Sequence, residues 1–320
     1  MIKYEKTLGS GDTCVKIIIS EEHHGKTVKE LLAGFLKFPS STITFLKSRE
    51  RGILLNGERV TVRKSLKHGD ILELEYTDDQ TVAELSNIIP VNLPLDIIYQ
   101  DDEIIALNKP PFMPTHPSHN HQDDTLANAL RYYFDSRDIP FIFRAVNRLD
   151  NNTSGIVLVA KNRLSAGRLS NDIAKKKISK SYLAVLHGVP EDECGEICAP
   201  IKREQDSIIR RIVSEDGAYS LTKYRTIFSN GMYSLVEATP VTGRTHQLRV
   251  HFAHIGHPIC GDTLYGHPSE FIDRQALHAY KLKFSHPYDS KEIMLTAKPP
   301  KDFLKLCEIL FGKNIDFERL

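Results

Sequence analysis

The chain of 320 residues has no tryptophan, only five cysteines and almost no excess of either charge. Lysine and arginine total 42 against 41 acidic residues, so the net charge of +1 argues against a protein held to nucleic acid by bulk charge, although it leaves room for a local basic groove. Five cysteines are few and odd in number, which argues against a disulfide framework and predicts a reducing, cytoplasmic location. No 18 consecutive residues are apolar, and residues 1–6 lack the apolar core of a signal peptide, so no membrane association is expected.

The length predicts about two domains, and the first is expected over residues 1–78. A capping-box pattern at Thr27 and Glu30 begins a helix. The apolar residues of this helix follow at helical spacing: Val28, Leu31, Leu32 and Phe35. A second helix is expected over 41–48, and strands are expected on both sides of the turn at Asn56 and Gly57 and again over 71–76. These elements predict a small α+β domain, followed by an acidic, proline-containing linker over 79–95.

The second domain is expected over residues 96–320, where strands dominate. The strands are predicted at 104–107, 156–160, 182–186, 234–238 and 248–252. Helices are predicted between them at 125–135, 163–176 and 301–311. The fold class is therefore α+β, with a large, mainly antiparallel mixed sheet in this domain.

Basic residues are concentrated between Lys161 and Leu183, where seven of them accompany a single acid, Asp172. A run such as 175–177 is often only the solvated end of a helix. Beside a site for a polyanion, the same run would be an edge that contacts phosphates. The sequence leaves both interpretations open.

A first polar stretch, RLDNNTSG at 148–155, precedes the predicted strand at 156–160. Arg148 and Asp150 are two residues apart at the strand edge, so they are expected to point to the same side. Without further context, Asp150 could equally be a turn residue that binds its own backbone.

A second polar stretch, TGRTHQLRVH at 242–251, brings two arginines and two histidines together after a glycine turn, at the predicted start of a strand. Histidines suggest a metal, but no ligand-spaced cysteines or carboxylates accompany them. Cys194 and Cys198 form one pair without a second, so no metal site is expected.

The order of these motifs resembles the RluA/RluD family of RNA pseudouridine synthases. The matching segments lie at 108–110 with 116–117, 124–130, 148–155, 180–188, 242–249, 261–262 with 265–266, 277–279 and 286–287. One such motif would be weak evidence, but the ordered series over about 90–300 is specific. The first domain resembles, more loosely, the RNA-binding module named after ribosomal protein S-four. The family has a histidine where this chain has Asn147, which keeps a donor and an acceptor but does not titrate near neutral pH.

The resemblance implies a reaction that converts uridine to pseudouridine without a cofactor. It assigns the essential carboxylate to Asp150, as a nucleophile or as the trigger of glycosidic cleavage, and leaves attack at the sugar, attack at the base and deprotonation of the sugar open. It assigns the cation that keeps this carboxylate ionised to Arg249, with Arg244 as the second choice.

The resemblance also implies how the substrate is held. Tyr182 would stack on the uracil and assist removal of the proton from its ring carbon, and Arg148 would fill the space that the flipped base leaves in the RNA. Leu248 or Leu277 would form an apolar floor. Further RNA contacts are expected from Lys109 and Lys180.

Several alternatives follow from the sequence. Ribosomal RNA is the favoured substrate and transfer RNA the second choice, and the protein is expected to be a monomer. A non-catalytic RNA-binding factor for ribosome assembly would have a broken site, yet Asp150, Tyr182 and Arg249 are all present. A glycosidase usually needs two carboxylates in one pocket, and these motifs are expected to supply only Asp150.

Overall fold

The N-terminal unit is built on a five-stranded sheet in the computed structural model, which describes residues 4–9, 12–36, 38–75, 87–312, 315 and 317. Its strands are β1 (Tyr4–Gly9), β2 (Asp12–Ile18), β3 (Ile53–Leu55), β4 (Glu58–Arg59) and β5 (Ile71–Glu75). They lie in the order β1-β2-β5-β3-β4, and each pair is antiparallel. The strands predicted around Asn56 and after residue 70 are confirmed. Strands β1 and β2 were not predicted, although the buried alternation of Val15, Ile17 and Ile19 is a strand signal.

The capping box at Thr27 is confirmed and begins α1 (Val28–Glu30). The Thr27 hydroxyl accepts from the Glu30 amide at 3.2 Å, and the Thr27 amide donates to the Glu30 carboxylate at 2.7 Å. A π turn over Leu31–Phe35 follows, and α2 (Ser40–Ser48) completes the unit. Phe35 follows Leu31 at helical spacing but is 46% exposed, because the wider turn places Leu36 on the core face instead.

The second unit is built on a nine-stranded sheet, as the α+β prediction requires. Its strands are β6 (Ile97–Gln100), β7 (Ile104–Lys109), β8 (Ser154–Ala160), β9 (Ser179–His187), β10 (Cys194–Cys198), β13 (Leu221–Ser229), β14 (Tyr233–Pro240), β15 (Leu277–Ser285) and β16 (Glu292–Thr296). The order is β10-β13-β14-β9-β15-β8-β7-β6, with β16 paired to β15. Among the described pairs only β8 with β15 is parallel. A separate hairpin contains β11 (Ile201–Arg203) and β12 (Arg211–Val213).

Three predicted helices of this unit are confirmed as α3 (Leu126–Asp135), α4 (Arg163–Ala174) and α6 (Lys301–Phe311). The strand predicted over 248–252 is wrong, since the chain forms the helix α5 (Gln247–His254) there. All residues of 247–252 are buried. The alternation of polar and apolar residues over 247–252 has the period of a strand, but the helix buries its polar residues as well as its apolar ones. Within the described ranges, no helix has the length and apolar character that crossing a bilayer requires.

The predicted linker falls partly on residues 79–86, which lie outside the described residues. The stretch from 87 to 95 forms no helix or strand, but it is attached to the second unit. Ile88, Leu93 and Leu95 pack against its core, and the Asn128 amide donates to the Ile89 carbonyl at 2.7 Å. The domain boundaries at 78 and 95 stay predictions.

The N-terminal unit is docked on α4. Leu164 of this helix is buried in the N-terminal core. The Arg168 guanidinium donates to the Leu36 carbonyl at 3.0 Å, and that of Arg163 lies 4.2 Å from the centre of the Phe45 ring. At Gly167 the units approach so closely that a Cβ would lie 2.5 Å from Pro39 Cγ. A glycine within a helix costs about 1 kcal/mol relative to alanine, and here close packing explains its presence.

This contact predicts an unusual effect of Gly167→Ala. Gly34→Ala is the matched control, because a Cβ at Gly34 meets nothing within 4 Å. In urea unfolding we expect Gly34→Ala to raise the free energy of unfolding by about 0.5 kcal/mol. Gly167→Ala should lower it by about 1 kcal/mol, because the methyl group overlaps Pro39. Pro39→Ala should relieve that loss in the double variant, and an equal stabilisation by both alanines would contradict close docking.

Candidate active site

A cavity of about 800 Å³ opens between the segment before β8, the C-terminal end of α4 and the turn between β14 and α5. This volume is in the range of small-molecule sites. Eight of the nine site residues predicted from the sequence line it: Arg148, Asp150, Lys180, Tyr182, Arg244, Leu248, Arg249 and Leu277. The fold therefore brings together motifs that are up to 129 residues apart, from Arg148 to Leu277.

Asp150 lies in the loop that leads into β8. The Thr115 hydroxyl donates to the Leu149 carbonyl at 3.1 Å and accepts from the Leu149 amide at 3.3 Å. The Thr153 amide donates to the Asp150 carbonyl at 3.0 Å. Gly155 has a φ of +112°, and a Cβ there would lie 2.2 Å from the Ala279 carbonyl of β15. Only glycine allows this close approach, which leads the chain from the loop into the sheet.

Lys109 does not line the cavity, and its predicted contact with RNA is wrong. Its side chain is fully buried behind the Asp150 loop, where Nζ donates to the carbonyls of Pro110 (2.9 Å), Met113 (2.7 Å) and Asn151 (2.9 Å). The buried Arg274 donates to the Asn152 carbonyl at 3.0 Å. Two buried cations thus hold consecutive carbonyls of the loop that positions Asp150.

Arg249 is the cation that the structure places against Asp150, while Arg244 lies at the rim. Arg249 Nη1 donates to Asp150 Oδ2 at 3.3 Å. Its Nε and Nη2 donate to the two oxygens of Asp262 at 2.7 and 2.8 Å. Asp262 is fully buried and also accepts from the amides of Leu264 and Tyr265. Burial alone would lower the pKa of Arg249, but the hydrogen bonds and charges of Asp262 and Asp150 together outweigh it and raise that pKa, so the guanidinium stays charged.

The turn before α5 explains how Arg249 reaches this position. The side-chain oxygen Oε1 of Gln247 accepts from the Thr242 hydroxyl at 2.7 Å and from the Arg244 backbone amide at 3.0 Å, which closes the turn. His246, at the start of the helix, has left-handed backbone angles, with φ of +57°. Its Nε2 lies 3.7 Å from Asp150 Oδ2, and its Nδ1 lies 2.9 Å from the Tyr265 hydroxyl. Burial lowers the pKa of His246, opposed by the charge of Asp150.

This arrangement of a cavity carboxylate, an arginine and a tyrosine on a mixed sheet has parallels among known proteins. Residues 103–254 match the sequence model of the RNA pseudouridylate synthase family, and residues 15–72 match that of the N-terminal domain of RluD ribosomal pseudouridine synthase. The RNA pseudouridine synthase YjbO of Bacillus subtilis is 39% identical over 288 residues, which cover 90% of this chain and 99% of that protein. The chain belongs to the RNA pseudouridine synthase family.

Further relatives support this assignment. Ribosomal large subunit pseudouridine synthase D of Blochmanniella floridana is 32% identical over 81% of this enzyme and 86% of that protein. The solved structure of human RNA pseudouridylate synthase domain containing 1 is 30% identical, with a TM-score of 0.54, and covers 65% of this chain and 84% of its own. The predicted reaction class and fold are confirmed, whereas the likeness of the N-terminal unit to ribosomal protein S-four stays a prediction.

Tyr182 of the synthase lies on β9, opposite Ala238 of β14 and Ala279 of β15, and its side chain lines the cavity. Burial, together with the charge of Asp150, raises the pKa of Tyr182 well above its usual range. The phenol therefore stays protonated at neutral pH. This favours stacking on the base over a role as a general base.

The rim of the cavity is cationic. Arg148 and Arg244 are exposed, and the Arg244 Nε donates to the Tyr219 carbonyl at 3.3 Å. Lys176, from the basic run at 175–177, lines the cavity, which favours a phosphate-contacting edge over a merely solvated helix end. Lys180 is half-buried on β9, and burial lowers its pKa. Leu248 and Leu277 are both buried and form apolar wall surface.

The histidines that suggested a metal have other roles. The two nitrogens of His251 lie 2.9 Å from the Thr222 hydroxyl and 2.9 Å from the Ala199 carbonyl. Among the described residues, no group of three or more histidines, cysteines or acids could hold a metal ion. Asn147 uses its amide to bind the Ile156 carbonyl and the Leu158 amide of β8, both at 2.9 Å, so its polar atoms are directed to the backbone.

Asp262 and His246 are the site residues that sequence reasoning missed. Asp262 lies within a segment that carries the family resemblance, so its buried pairing with Arg249 could have been suspected. The expectation that no second acid accompanies Asp150 is wrong. However, Asp262 has no exposed surface and both its oxygens are bound, so it cannot act as the second carboxylate of a glycosidase.

The Asp262 contact predicts the effect of Asp262→Asn. An amide cannot accept from both Nε and Nη2 of Arg249, so the guanidinium should shift away from Asp150. We expect kcat to fall about ten- to hundredfold with KM nearly unchanged, as small misplacements in active sites do. Asp135→Asn is the matched control, because Asp135 accepts from Arg131 Nε through both oxygens, away from the cavity. Equal kcat values for the two variants would refute the role of Asp262.

The burial of Lys109 predicts a pH-dependent stability. Burial lowers the pKa of Lys109 to about 7, with Arg274 adding to the effect and Asp150 opposing it. An unfolded lysine titrates near 10.4, so between about pH 7 and 10 the unfolded chain binds more protons and this site stabilises the fold increasingly as pH rises. Urea unfolding at pH 7, 8 and 9 should show wild type gaining stability relative to Lys109→Met. A difference that is constant, or that shrinks with pH, would contradict this.

Proposed function

We propose that this synthase isomerises specific uridines of large-subunit ribosomal RNA, with Asp150 as the essential carboxylate. The observation that carries the proposal is the position of Asp150 in the cavity, bound to an arginine whose own anchor is buried, opposite Tyr182. An ionised carboxylate in a partly dry pocket, with an aromatic ring beside it, fits the cleavage of a glycosidic bond to a flat base.

The target uridine must leave the RNA stack to reach Asp150, at a cost of a few kcal/mol. We expect the exposed Arg148 at the mouth of the cavity to occupy the vacated space, since a planar guanidinium stacks on bases and binds their edges. We expect Lys176, Lys180 and Arg244, which line the cavity, to contact the phosphates around the flipped nucleotide.

Within the cavity, Asp150 starts the cleavage of the bond between C1′ and N1. The uracil then turns against Tyr182 and the apolar surface of Leu248 and Leu277. A bond forms between C1′ and C5, C5 loses its proton and N1 gains one, so no electron or group donor is consumed. Arg249 binds Asp150 Oδ2 at 3.3 Å and orients the carboxylate between turnovers.

The choice of ribosomal RNA is supported by the names of relatives over most of the chain, among them ribosomal large subunit pseudouridine synthase D of several bacteria. The match of residues 15–72 to the RluD N-terminal domain supports the same choice.

We also propose that the protein is a cytoplasmic monomer. The free thiols of Cys194, Cys198, Cys260 and Cys307 support a location in a reducing compartment. Light scattering of the purified chain tests the oligomeric state.

Maps of pseudouridine in total RNA test the proposal directly. We expect the same sites in large-subunit ribosomal RNA to disappear when the gene is deleted and when it carries Asp150→Ala. Purified Asp150→Asn should bind this RNA and fold like wild type but show no turnover, because the amide has no negative charge. Sites lost only from transfer RNA would correct the substrate. Unchanged maps together with a growth or assembly defect in the deletion strain alone would favour a binding factor.

A further inference from the structure

We propose that the groove between the N-terminal unit and α4 binds the backbone of the RNA strand that flanks the target uridine. This inference rests on the proposed function and concerns a surface outside the catalytic cavity. It assigns a substrate-binding role to the docked arrangement of the two units.

The groove has a volume of about 470 Å³ and is lined from both units. The N-terminal unit contributes Pro39, Ser41 and Thr42, and the second unit contributes Arg144 and five residues of α4: Arg163, Ala166, Gly167, Ser170 and Asn171. The described lining contains two arginines, three hydroxyl groups, one side-chain amide and no acid. Such a surface matches phosphate and sugar oxygens, which receive most protein–nucleic acid hydrogen bonds.

The groove and the catalytic cavity lie next to each other along two segments of chain. On α4, Ser170 and Asn171 line the groove, while Ile173 and Ala174, on the same helical face, line the cavity. Before β8, Arg144 lines the groove and residues 146–150 line the cavity. A helix of 12 residues is about 18 Å long. A strand that delivers one nucleotide to Asp150 can therefore reach the groove within the length of this helix.

The walls of the groove are preformed. The Arg163 guanidinium lies over the Phe45 ring, and that of Arg144 donates to the Ile142 carbonyl at 3.2 Å. The contact of Gly167 with Pro39 fixes the distance between the walls. Cationic groups held in place before binding lose little entropy when RNA arrives.

Ser170 is the position for a test, because its side chain is exposed in the groove. Ser170→Glu adds a negative charge, and Ser170→Lys adds a side chain of similar length with the opposite charge. At low salt we expect Ser170→Glu to raise KM for unmodified large-subunit ribosomal RNA about fivefold with kcat unchanged, and this effect should shrink as salt is added. Ser170→Lys should leave KM unchanged or lower it. Thermal unfolding of both variants checks that the fold is intact.

The same substitutions in an Asp150→Asn background test the groove without turnover. Filter binding of the same RNA should show Kd raised about fivefold by Ser170→Glu only. If both substitutions weakened RNA binding equally, or if neither changed Kd, the proposed role of the groove would be wrong. Turnover by the wild type would be unaffected by either result. If wild type showed no turnover on any ribosomal RNA and Ser170→Glu still weakened binding, the proposed function would fail and the groove would stand.

Discussion

The proposed chemistry of the cavity depends on the contact between Arg249 and Asp150. A cation that binds a carboxylate directly stabilises its negative charge and orients it. Arg249 can do this only because Asp262 binds its other two nitrogens and fixes its direction. Asp262 in turn is bound by two backbone amides. Backbone amides thus fix Asp262, Asp262 fixes Arg249 in a buried ion pair, and Arg249 binds the partly exposed Asp150. Such a pair is weak evidence for stability but strong evidence for orientation.

The loop that holds Asp150 is likewise fixed by buried polar side chains, which bind its backbone. A loop has no ladder of hydrogen bonds to define its position, and here buried side chains replace that ladder. Thr115 binds Leu149, Lys109 binds Asn151 and Arg274 binds Asn152. Burying two cations to bind neutral carbonyls is costly, which the lowered pKa of Lys109 reflects. A cost of this kind is understandable where a catalytic group must be placed to within a fraction of an ångström.

The elements that could be predicted from the sequence are those whose physics is local. The helix at Thr27 has its own capping box, and the strands β7 and β8 are apolar runs bounded by turns. The failures have non-local causes. Residues 247–252 alternate polar and apolar side chains as a strand does, and only the folded structure shows that helix α5 buries both kinds. The π turn that exposes Phe35 likewise depends on packing in the core. The family motifs predicted which residues meet in the cavity, but the pairing of Arg249 with Asp262 and the burial of Lys109 are visible only in three dimensions.

Helix α4 connects the two units because its two ends contact different parts of the protein. Its N-terminal half forms part of the N-terminal core through Leu164 and meets Pro39 at Gly167, while its C-terminal end forms a wall of the catalytic cavity. A module that was merely tethered would need no glycine in the middle of this helix, where alanine is favoured by about 1 kcal/mol. The close contact therefore argues that the relative position of the units matters. Because α4 also lines the cavity at its C-terminal end, this helix fixes the distance between the N-terminal unit and the cavity that holds Asp150.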